Sequence, residues 1–282
     1  MKYKRIKLIA GIVFVIFLGL GIWAFWLEPA SLTVREYSLS IPNWPAEQGS
    51  VKIAVLADLH IGSPFNDLNR LDEIVARTNS LKPDLVVLPG DFVVQGVLGG
   101  SFVEPSDIAI RLEPLKAPLG IWAVLGNHDW WHNAEEIARA LSQHNIGMLE
   151  DKAVTIQNEY GSFWLAGISD FWEGPHDVKE VISQISTDRP VIAITHTPDI
   201  FVDLPARFDL VIAGHTHGGQ VYIPLIGRPL VPSQYGERYA LGHIIEDERH
   251  MFVSSGLGTS ILPVRFLTPP EISVLLISGE PH

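Results

Sequence analysis

The residues best suited to chemistry in this sequence are two histidines, His215 and His217, which follow a short apolar run in LVIAGHTHGGQ. Imidazole is a common ligand of divalent metals and also serves as an acid or a base in catalysis. The pair alone is weak evidence, because histidines at the end of a strand also occur as ordinary core or surface residues. Whether this pair belongs to a site depends on what ends the other apolar runs of the chain.

Four other apolar runs also end in side chains that can bind a metal. Their endings ADLH, GD, GNHD and AITH supply Asp58, His60, Asp91, Asn127, His128, Asp129 and His196. Ligands of an α/β sheet bind beyond the carboxyl ends of the strands, so residues at these ends can share one site. One Asp in such a place is ordinary turn chemistry. The repetition over all five runs instead predicts a shared site for divalent metals with nitrogen and oxygen ligands.

The segments around these residues alternate between strand-like and helix-like patterns. From Val51 onward, runs such as VKIAVLA and PDLVVLPG are typical of buried strands, whereas residues 66–81 and 133–145 have helical spacing. Strands alternating with helices, followed by a strand-rich C-terminal part, predict an α/β fold with a large or doubled sheet. Upstream, residues 32–41 alternate as an edge strand would, and residues 42–50 have the composition of a loop.

A charge-free apolar stretch, Leu8 to Leu27, follows a basic N-terminus. About 20 apolar residues suffice for a helix to span a bilayer, and Trp23 and Trp26 stand at its far end, where indoles favour the membrane interface. A cleaved signal peptide is the alternative, but its apolar region would usually be shorter and its cleavage site clearer. Because the basic residues precede the span, the N-terminus is predicted to be cytoplasmic and the remainder extracytoplasmic.

Composition excludes several classes of protein. The net charge of −12 is opposite in sign to the basic stripe of a nucleic-acid-binding surface, so no nucleic acid is expected as a partner. The chain has no cysteine, which excludes disulfides, thiolate zinc sites and a cysteine nucleophile. Its 282 residues are enough for one large domain or two small ones.

Taken in order, the motifs D-x-H, G-D, G-N-H-D, a single H and G-H-x-H resemble those of the calcineurin-like metallophosphoesterases, over about residues 50–278. The N-terminal anchor and the C-terminal segment GLGTSILPVRFLTPPEISVLLI are similar to the membrane-anchored bacterial phosphodiesterase branch, which is related to UDP-2,3-diacylglucosamine pyrophosphatase-like proteins. The resemblance implies an α/β fold of two packed mixed β-sheets flanked by helices. We expect residues 1–28 to form a basic segment and transmembrane anchor, 29–50 a tether and lead-in, and 51–278 the catalytic domain.

The resemblance also implies a role for each residue at the strand ends. The metal ligands would be Asp58, His60, Asp91, Asn127, His196, His215 and His217. Asp58, His60 and His217 would bind one ion, Asn127, His196 and His215 the other, and Asp91 would bridge the two. His128 would act on the scissile phosphate as a general acid or an electrostatic clamp. Mixed nitrogen and oxygen ligation favours Mn, Fe or Zn as the two divalent metals.

Two positions depart from the related protein phosphatases. Val94 stands where these have an Asp, and Leu125 where they have an Arg, so hydrolysis of phosphoproteins is not expected. Asp129 is predicted to orient His128 in place of the missing carboxylate.

Three further positions have two interpretations each. Asp170 either lines the cleft or is a turn residue. Arg265 either holds the substrate phosphate or forms a surface salt bridge. His132, beside Trp130 and Trp131, belongs either to a substrate-facing rim or to a packed loop, and the packed loop is favoured because aromatic rings usually pack.

We therefore expect a membrane-anchored enzyme of the bacterial inner (cytoplasmic) membrane that passes the bilayer once and hydrolyses phosphodiesters or phosphomonoesters. The expected reaction is attack of a metal-bound hydroxide on phosphorus. Its substrate would be a phosphoester, and a lipid-linked phosphoester is one candidate. One alternative is a UDP-2,3-diacylglucosamine pyrophosphatase of lipid A biosynthesis, although that substrate is cytoplasmic and the catalytic domain is predicted outside. A metal-containing binding protein without turnover is the alternative of another class.

Overall fold

Two mixed six-stranded β-sheets form the centre of the molecule in the computed structural model, which describes residues 2–45, 49–159 and 161–279. In chain order the strands are β1 (Thr33–Ile41), β2 (Val51–Val55), β3 (Leu85–Pro89), β4 (Ile121–Val124), β5 (Gly147–Met148), β6 (Lys152–Gln157), β7 (Ser162–Gly167), β8 (Val191–Ile194), β9 (Leu210–Ala213), β10 (Gly242–Glu246), β11 (Arg249–Val253) and β12 (Glu271–Gly279). The first sheet has the order β1-β12-β2-β3-β4-β5 and the second β10-β11-β9-β8-β7-β6. Strands β2, β3 and β4 are parallel neighbours, and so are β7, β8 and β9.

The α-helices within the described residues are α1 (Lys2–Ile22), α2 (Leu68–Ser80), α3 (Pro105–Leu112), α4 (Asn127–Gln143) and α5 (Val178–Ser183). Asp67 caps α2 by accepting from the backbone N–H of Arg70 at 2.9 Å. Helix α4 is interrupted at Asn133, whose side chain caps the second part through the N–H of Glu136 at 3.2 Å. Both caps satisfy amide groups that a helix leaves unpaired at its start.

Three apolar layers hold the sheets and helices together. One layer lies between the first sheet and α2, α3 and α4, and another lies between the second sheet and α5. The middle layer joins the two sheets, because Val55 and Val87 of the first pack with Ile192 and Ile212 of the second. The predicted fold of two packed mixed sheets flanked by helices is thus confirmed. The layers also fix the two sheets against each other, so that both can contribute to one site.

The N-terminal helix is long and apolar enough to cross a membrane, judged by the length and composition of Tyr3–Leu27. Its side chains are exposed, and it continues through a π-helical turn at Trp23–Leu27. Five residues later the chain enters β1, which is an edge strand as predicted. Strand β1 pairs with β12 in parallel from Thr33 opposite Glu271 to Ile41 opposite Gly279.

Candidate metal centre

The carboxyl ends of five strands bring the predicted site residues together. Asp58 and His60 follow β2, Asp91 follows β3, and Asn127 and His128 follow β4, while His196 follows β8 and the His215 and His217 pair follows β9. Both sheets therefore contribute, since β2, β3 and β4 belong to one and β8 and β9 to the other. All eight side chains are buried. The structure thus places every predicted site residue in a single cluster.

The backbone around the cluster is strained, as is common at functional sites. Asp58, His60, Asp91, His215 and His217 have positive φ angles of 52°, 40°, 59°, 69° and 50°. Residues other than glycine seldom adopt this left-handed conformation. Because two residues of a regular strand that are two positions apart point to the same face, the left-handed turn lets His215 and His217 diverge. His215 faces His196, and His217 faces His60.

One group of ligand atoms surrounds a single point between the two sheets. His196 Nε2 lies 3.0 Å from Asn127 Oδ1, 3.1 Å from His215 Nδ1 and 3.3 Å from Asp91 Oδ2. His215 Nδ1 also lies 3.0 Å from Asn127 Oδ1. The Nδ1 atom of His196 donates to the carbonyl of Pro89 at 2.8 Å. In the neutral ring, this leaves an unprotonated Nε2 pointing into the group.

A second group lies on the other side of Asp91. His60 Nε2 is 3.1 Å from His217 Nε2 and 3.3 Å from the same Oδ2 atom of Asp91. Asp58, His60 and His217 each offer a ligand atom, and these atoms lie within 4.8 Å of one another. His60 Nδ1 faces the carbonyl of Val93 at 3.3 Å, which again directs the other ring nitrogen inward.

The atoms within each group are arranged to bind a cation and not to hydrogen-bond with one another. Lone pairs of imidazole nitrogens, an amide oxygen and a carboxylate converge at 3.0–3.3 Å, and lone pairs repel unless a proton or a metal lies between them. Within the described residues, the buried Oδ2 of Asp58 has no hydrogen-bond partner. The donor set of nitrogen and oxygen atoms is the one that Mn, Fe and Zn accept. The residues present therefore fit a pair of divalent ions that share Asp91.

Burial and mutual proximity shift the pKa values of the cluster. Burial raises the pKa of Asp58 to about 6. Burial also raises the pKa of Asp91, but His196 and His60 outweigh it and hold that pKa well below its usual range. Burial lowers the pKa of His196, but Asp91 and Asp58 outweigh it and raise that pKa to about 10. The carboxylates thus draw positive charge into the centre of the cluster, which is the charge that divalent ions would supply.

His128 lies beside the two groups, in the first turn of α4. Its ring packs against His60 with centroids 4.6 Å apart, and its backbone N–H donates to Asp91 Oδ1 at 2.9 Å. Burial lowers the pKa of His128 to about 4, so its imidazole is neutral at neutral pH. Its Nδ1 atom has no hydrogen-bond partner among the residues described.

Asp129 does not orient His128, so that prediction is wrong. Its carboxylate accepts from the backbone N–H groups of Gly126, Asp91, Phe92 and Val93 at 2.8–3.2 Å. A carboxylate with two oxygens can satisfy several amides that point the same way. Asp129 therefore joins the loop after β3 to the loop after β4, and it holds both at the site.

Arg265 is fully buried, so both of its predicted roles are wrong. Its Nη1 atom donates to the carbonyls of Ser255, His217 and Thr268 at 2.8, 3.2 and 3.2 Å, and its Nη2 atom lies 3.4 Å from His217 Nδ1. Arg265 thus holds the backbone and the ring of His217 from behind. The signal in the sequence is a single charge inside the apolar run ILPVRFL, because a buried cation needs partners.

Asp170 is a turn residue, buried behind one wall of the site. It accepts from the N–H groups of Trp172 and Glu173 at 3.1 and 3.0 Å and from Thr197 Oγ1 at 2.5 Å. It thereby fixes the turn that carries Trp172 to Thr197, which is next to His196.

Two exposed tryptophans, Trp131 and Trp172, form part of the rim of the site. Trp130 and His132 instead pack, as was favoured for this loop, Trp130 against the core and His132 against Phe102. The ring of Trp131 lies 4.7 Å from that of His128 and is 51% exposed. Trp172 meets His215 edge to face at 4.5 Å and is 41% exposed. A hydrogen bond of 2.9 Å from Trp131 Nε1 to Glu173 links the two segments. Exposed indoles next to a buried polar cluster are suited to contact an apolar part of a ligand.

The comparison with known proteins defines the class. Residues 51–219 match the family model for calcineurin-like phosphoesterases, and the chain belongs to this family. Phosphodiesterase YaeI of Escherichia coli strain K12 is 34% identical over 233 residues, which cover 79% of this chain and 81% of that protein. Metallophosphoesterase YkuE of Bacillus subtilis strain 168 is 29% identical over 91% of this chain and 89% of its own.

A third relative is UDP-2,3-diacylglucosamine pyrophosphatase LpxG of Chlamydia muridarum, with 26% identity over 92% of this chain and 93% of that protein. The resemblance drawn from the motifs is thus confirmed, and the protein is a metal-dependent phosphoesterase, as predicted.

Proposed function

We propose that this protein is a membrane-anchored phosphodiesterase whose two metal ions bind the two groups of ligands described above. The observation that carries the proposal is the position of Asp91 Oδ2, which lies 3.3 Å from a nitrogen of each group. One carboxylate oxygen between two sets of ligands is what a dinuclear site requires. Two such ions would activate a water and clamp the oxygens of a phosphate during an in-line displacement.

Each side chain has a defined task in this proposal. Asp58, His60 and His217 hold one ion, and Asn127, His196 and His215 hold the other. The backbone carbonyls of Val93 and Pro89 face the outer ring nitrogens of His60 and His196, so the inner nitrogens are the ones that would face a metal ion. Mn, Fe or Zn suits this donor set.

His128 is the residue that we assign to the substrate. Its ring stands at the edge of the cluster, between His60 and the rim residue Trp131. A neutral imidazole carries a proton on one ring nitrogen. His128 can donate that proton to a phosphate oxygen or to the leaving oxygen of the ester.

The N-terminal helix is proposed to anchor the protein in the inner membrane with the catalytic domain on the extracytoplasmic side. The length and composition of Tyr3–Leu27 support the anchor, and the basic residues before it support the orientation. A reporter fused to the C-terminus tests this orientation. Activity of a reporter that works only in the periplasm would support an extracytoplasmic catalytic domain. Activity of a reporter that works only in the cytoplasm would place the catalytic domain on the cytoplasmic side.

Enzymatic activity is tested with the full chain in detergent, loaded with Mn²⁺. A soluble aryl phosphodiester and the matching aryl monoester are offered side by side, and bound metal is measured on the same samples. We expect turnover of the diester, and loss of most of it in Asp91→Asn. Asp188→Asn, which removes an exposed carboxylate, is the matched control and should retain full activity. Metal binding without turnover of any ester would instead support a binding protein.

UDP-2,3-diacylglucosamine is the second candidate substrate, because one relative carries the name of a pyrophosphatase for it. Its turnover is measured in the same assay. A rate far above that of the aryl diester would assign the protein to lipid A biosynthesis and would require the catalytic domain to face the cytoplasm.

A further inference from the structure

The end of the N-terminal helix is fixed to the catalytic domain by hydrogen bonds. The carbonyl of Ala24 accepts from the N–H of Arg265 at 2.9 Å. Glu28 is buried, and it accepts from the N–H of Thr268 at 2.6 Å and from Trp23 Nε1 at 2.5 Å. Because Trp23 stands at the far end of the apolar helix, where indoles favour the membrane interface, the segment around Arg265 would lie at that interface.

Three loops next to this junction expose large apolar side chains. They comprise residues 97–102, 220–230 and 260–267, and their exposed side chains include Leu98, Leu225, Ile226, Leu230, Ile261 and Leu267. The loops are joined to one another, since the N–H of Leu98 donates to Ile261 at 2.9 Å and that of Tyr222 donates to Phe266 at 2.8 Å. We call this surface the apolar loop face. It is continuous with the apolar helix through the bond between Arg265 and Ala24.

The three loops themselves contain no acidic residue, and the exposed Glu237 borders the loop 220–230 by accepting from the backbone N–H of Arg228 at 2.9 Å. The chain contains 32 acidic residues, but the stretches 92–103, 210–236 and 250–270 contain none. Two arginines occur in the three loops. Arg265 is fully buried, and Arg228 donates to the carbonyl of Gly218 and, at 3.0 Å, to Thr268 Oγ1. A clustered apolar surface without acidic residues marks a site of contact with a partner or a membrane.

The apolar loop face also borders the candidate metal centre. Residues 220–230 begin directly after the turn at His217–Gly219, and the N–H of Gly258 donates to the carbonyl of Asp58 at 2.7 Å. Phe102 packs against His132 at 4.8 Å, next to the rim residue Trp131. The loops that would contact the bilayer interior are therefore connected to the candidate metal ligands and to the rim residue Trp131.

We propose that the apolar loop face inserts into the outer part of the bilayer beside the N-terminal helix, so that the metal centre opens at the lipid surface. This inference rests on the proposed membrane anchoring. The bilayer is the occupant that fits, because a membrane-spanning helix fixed beside the loops brings them to the interface. The substrate class that follows is an amphiphilic phosphoester, whose apolar part stays in the lipid while its phosphate reaches the metal centre.

The absence of cysteine makes a direct test possible, because a single introduced cysteine can be labelled uniquely. Leu225→Cys and Ile261→Cys report on the apolar loop face. Ile245→Cys on β10 is the matched control, since Ile245 is an exposed isoleucine at 57%, comparable with Ile261 at 72%, and lies outside the three loops. Each full-length variant is labelled with a polarity-sensitive fluorophore and reconstituted in phosphatidylcholine–phosphatidylglycerol vesicles with or without nitroxide-labelled lipid.

We expect nitroxide lipid to remove most of the fluorescence at positions 225 and 261 and to leave that at position 245 unchanged. The proposal would be overturned if nitroxide lipid quenched the fluorescence at none of the three positions in protein that co-floats with the vesicles in a density gradient. Labels shielded from water but not quenched by lipid would also overturn it, because they would indicate contact with a second protein copy. Protein that does not float would overturn the anchor together with this inference, while the aryl diester assay in detergent would still report on the enzyme itself.

Discussion

The carboxylate of Asp129 accepts a hydrogen bond of 2.8 Å from the backbone N–H of Asp91, the residue shared by the two groups of ligands. The same carboxylate binds the amides of Gly126, Phe92 and Val93. Asp129 therefore holds Asp91 through the backbone, and both of its carboxylate oxygens are engaged with backbone amides.

We expect Asp129→Asn to destabilise the loops and to lower metal content together with activity. An amide has one oxygen, and its NH₂ group would face backbone N–H donors, so buried amides would lose their acceptor at a cost of about 1–3 kcal/mol each. Thermal unfolding and metal analysis measure both effects. Asp188→Asn is the control, and an unchanged melting temperature with full metal content in Asp129→Asn would contradict the assignment.

Arg265→Lys is expected to weaken the fold and the binding of the metal ion that we propose for His217. Arginine presents a rigid fork of donors, whereas lysine offers one ammonium group that cannot reach the same set of carbonyls. Buried carbonyls left unpaired cost about 1–3 kcal/mol each. Arg238→Lys is the matched control, because Arg238 forms an exposed ion pair with Glu246 at 2.7 Å. Denaturant unfolding and metal titration provide the measurements, and equal behaviour of the two variants would argue against a positioning role for Arg265.

The sequence predicts the ligand-type residues and the two-sheet fold because both depend on short-range patterns. Apolar runs identify the strands, and the residues directly after them, such as Asp58 and His196, must lie at the carboxyl edge of the sheet. The divergence of His215 and His217 depends in addition on the positive φ angles of both residues, which their spacing alone does not give.

The roles of Asp129 and Arg265 could not be predicted in this way. Both side chains bind backbone groups, and the direction of a backbone amide or carbonyl depends on the packing of loops that are distant in the chain. For the same reason the sequence did not show that Glu28 would be buried against Thr268, which is 240 positions away. The position of Trp172 likewise depends on the turn that Asp170 fixes.

Trp172→Ala is expected to raise the KM for esters with large apolar groups several-fold while leaving the melting temperature nearly unchanged. The indole is partly exposed at the rim and meets the ring of His215 edge to face. Its removal is expected to remove a contact with the apolar part of the substrate and to leave the packing of the core nearly unchanged. Trp172→Phe retains an aromatic ring at this position and should recover most of the affinity. Steady-state kinetics with a small and a large diester test this. An equal effect on both substrates would indicate damage to His215 and not loss of a substrate contact.

Chelation is expected to lower the thermal stability of the wild-type protein and to abolish its activity, and added Mn²⁺ should restore both. Ions that bind only the folded state stabilise it by about 2.7 kcal/mol when present at 100 times their dissociation constant. The physical reason for expecting this stabilisation is that ring nitrogens and oxygens converge at 3.0–3.3 Å around Asp91 Oδ2, where bound cations would offset the repulsion between their lone pairs. Asp91→Asn is the control, because it weakens both sites at once and should show a much smaller response to chelator and metal. A wild-type melting curve that is identical with and without chelator, in protein shown to have lost its metal, would mean that the two groups of ligands are held together by the fold alone.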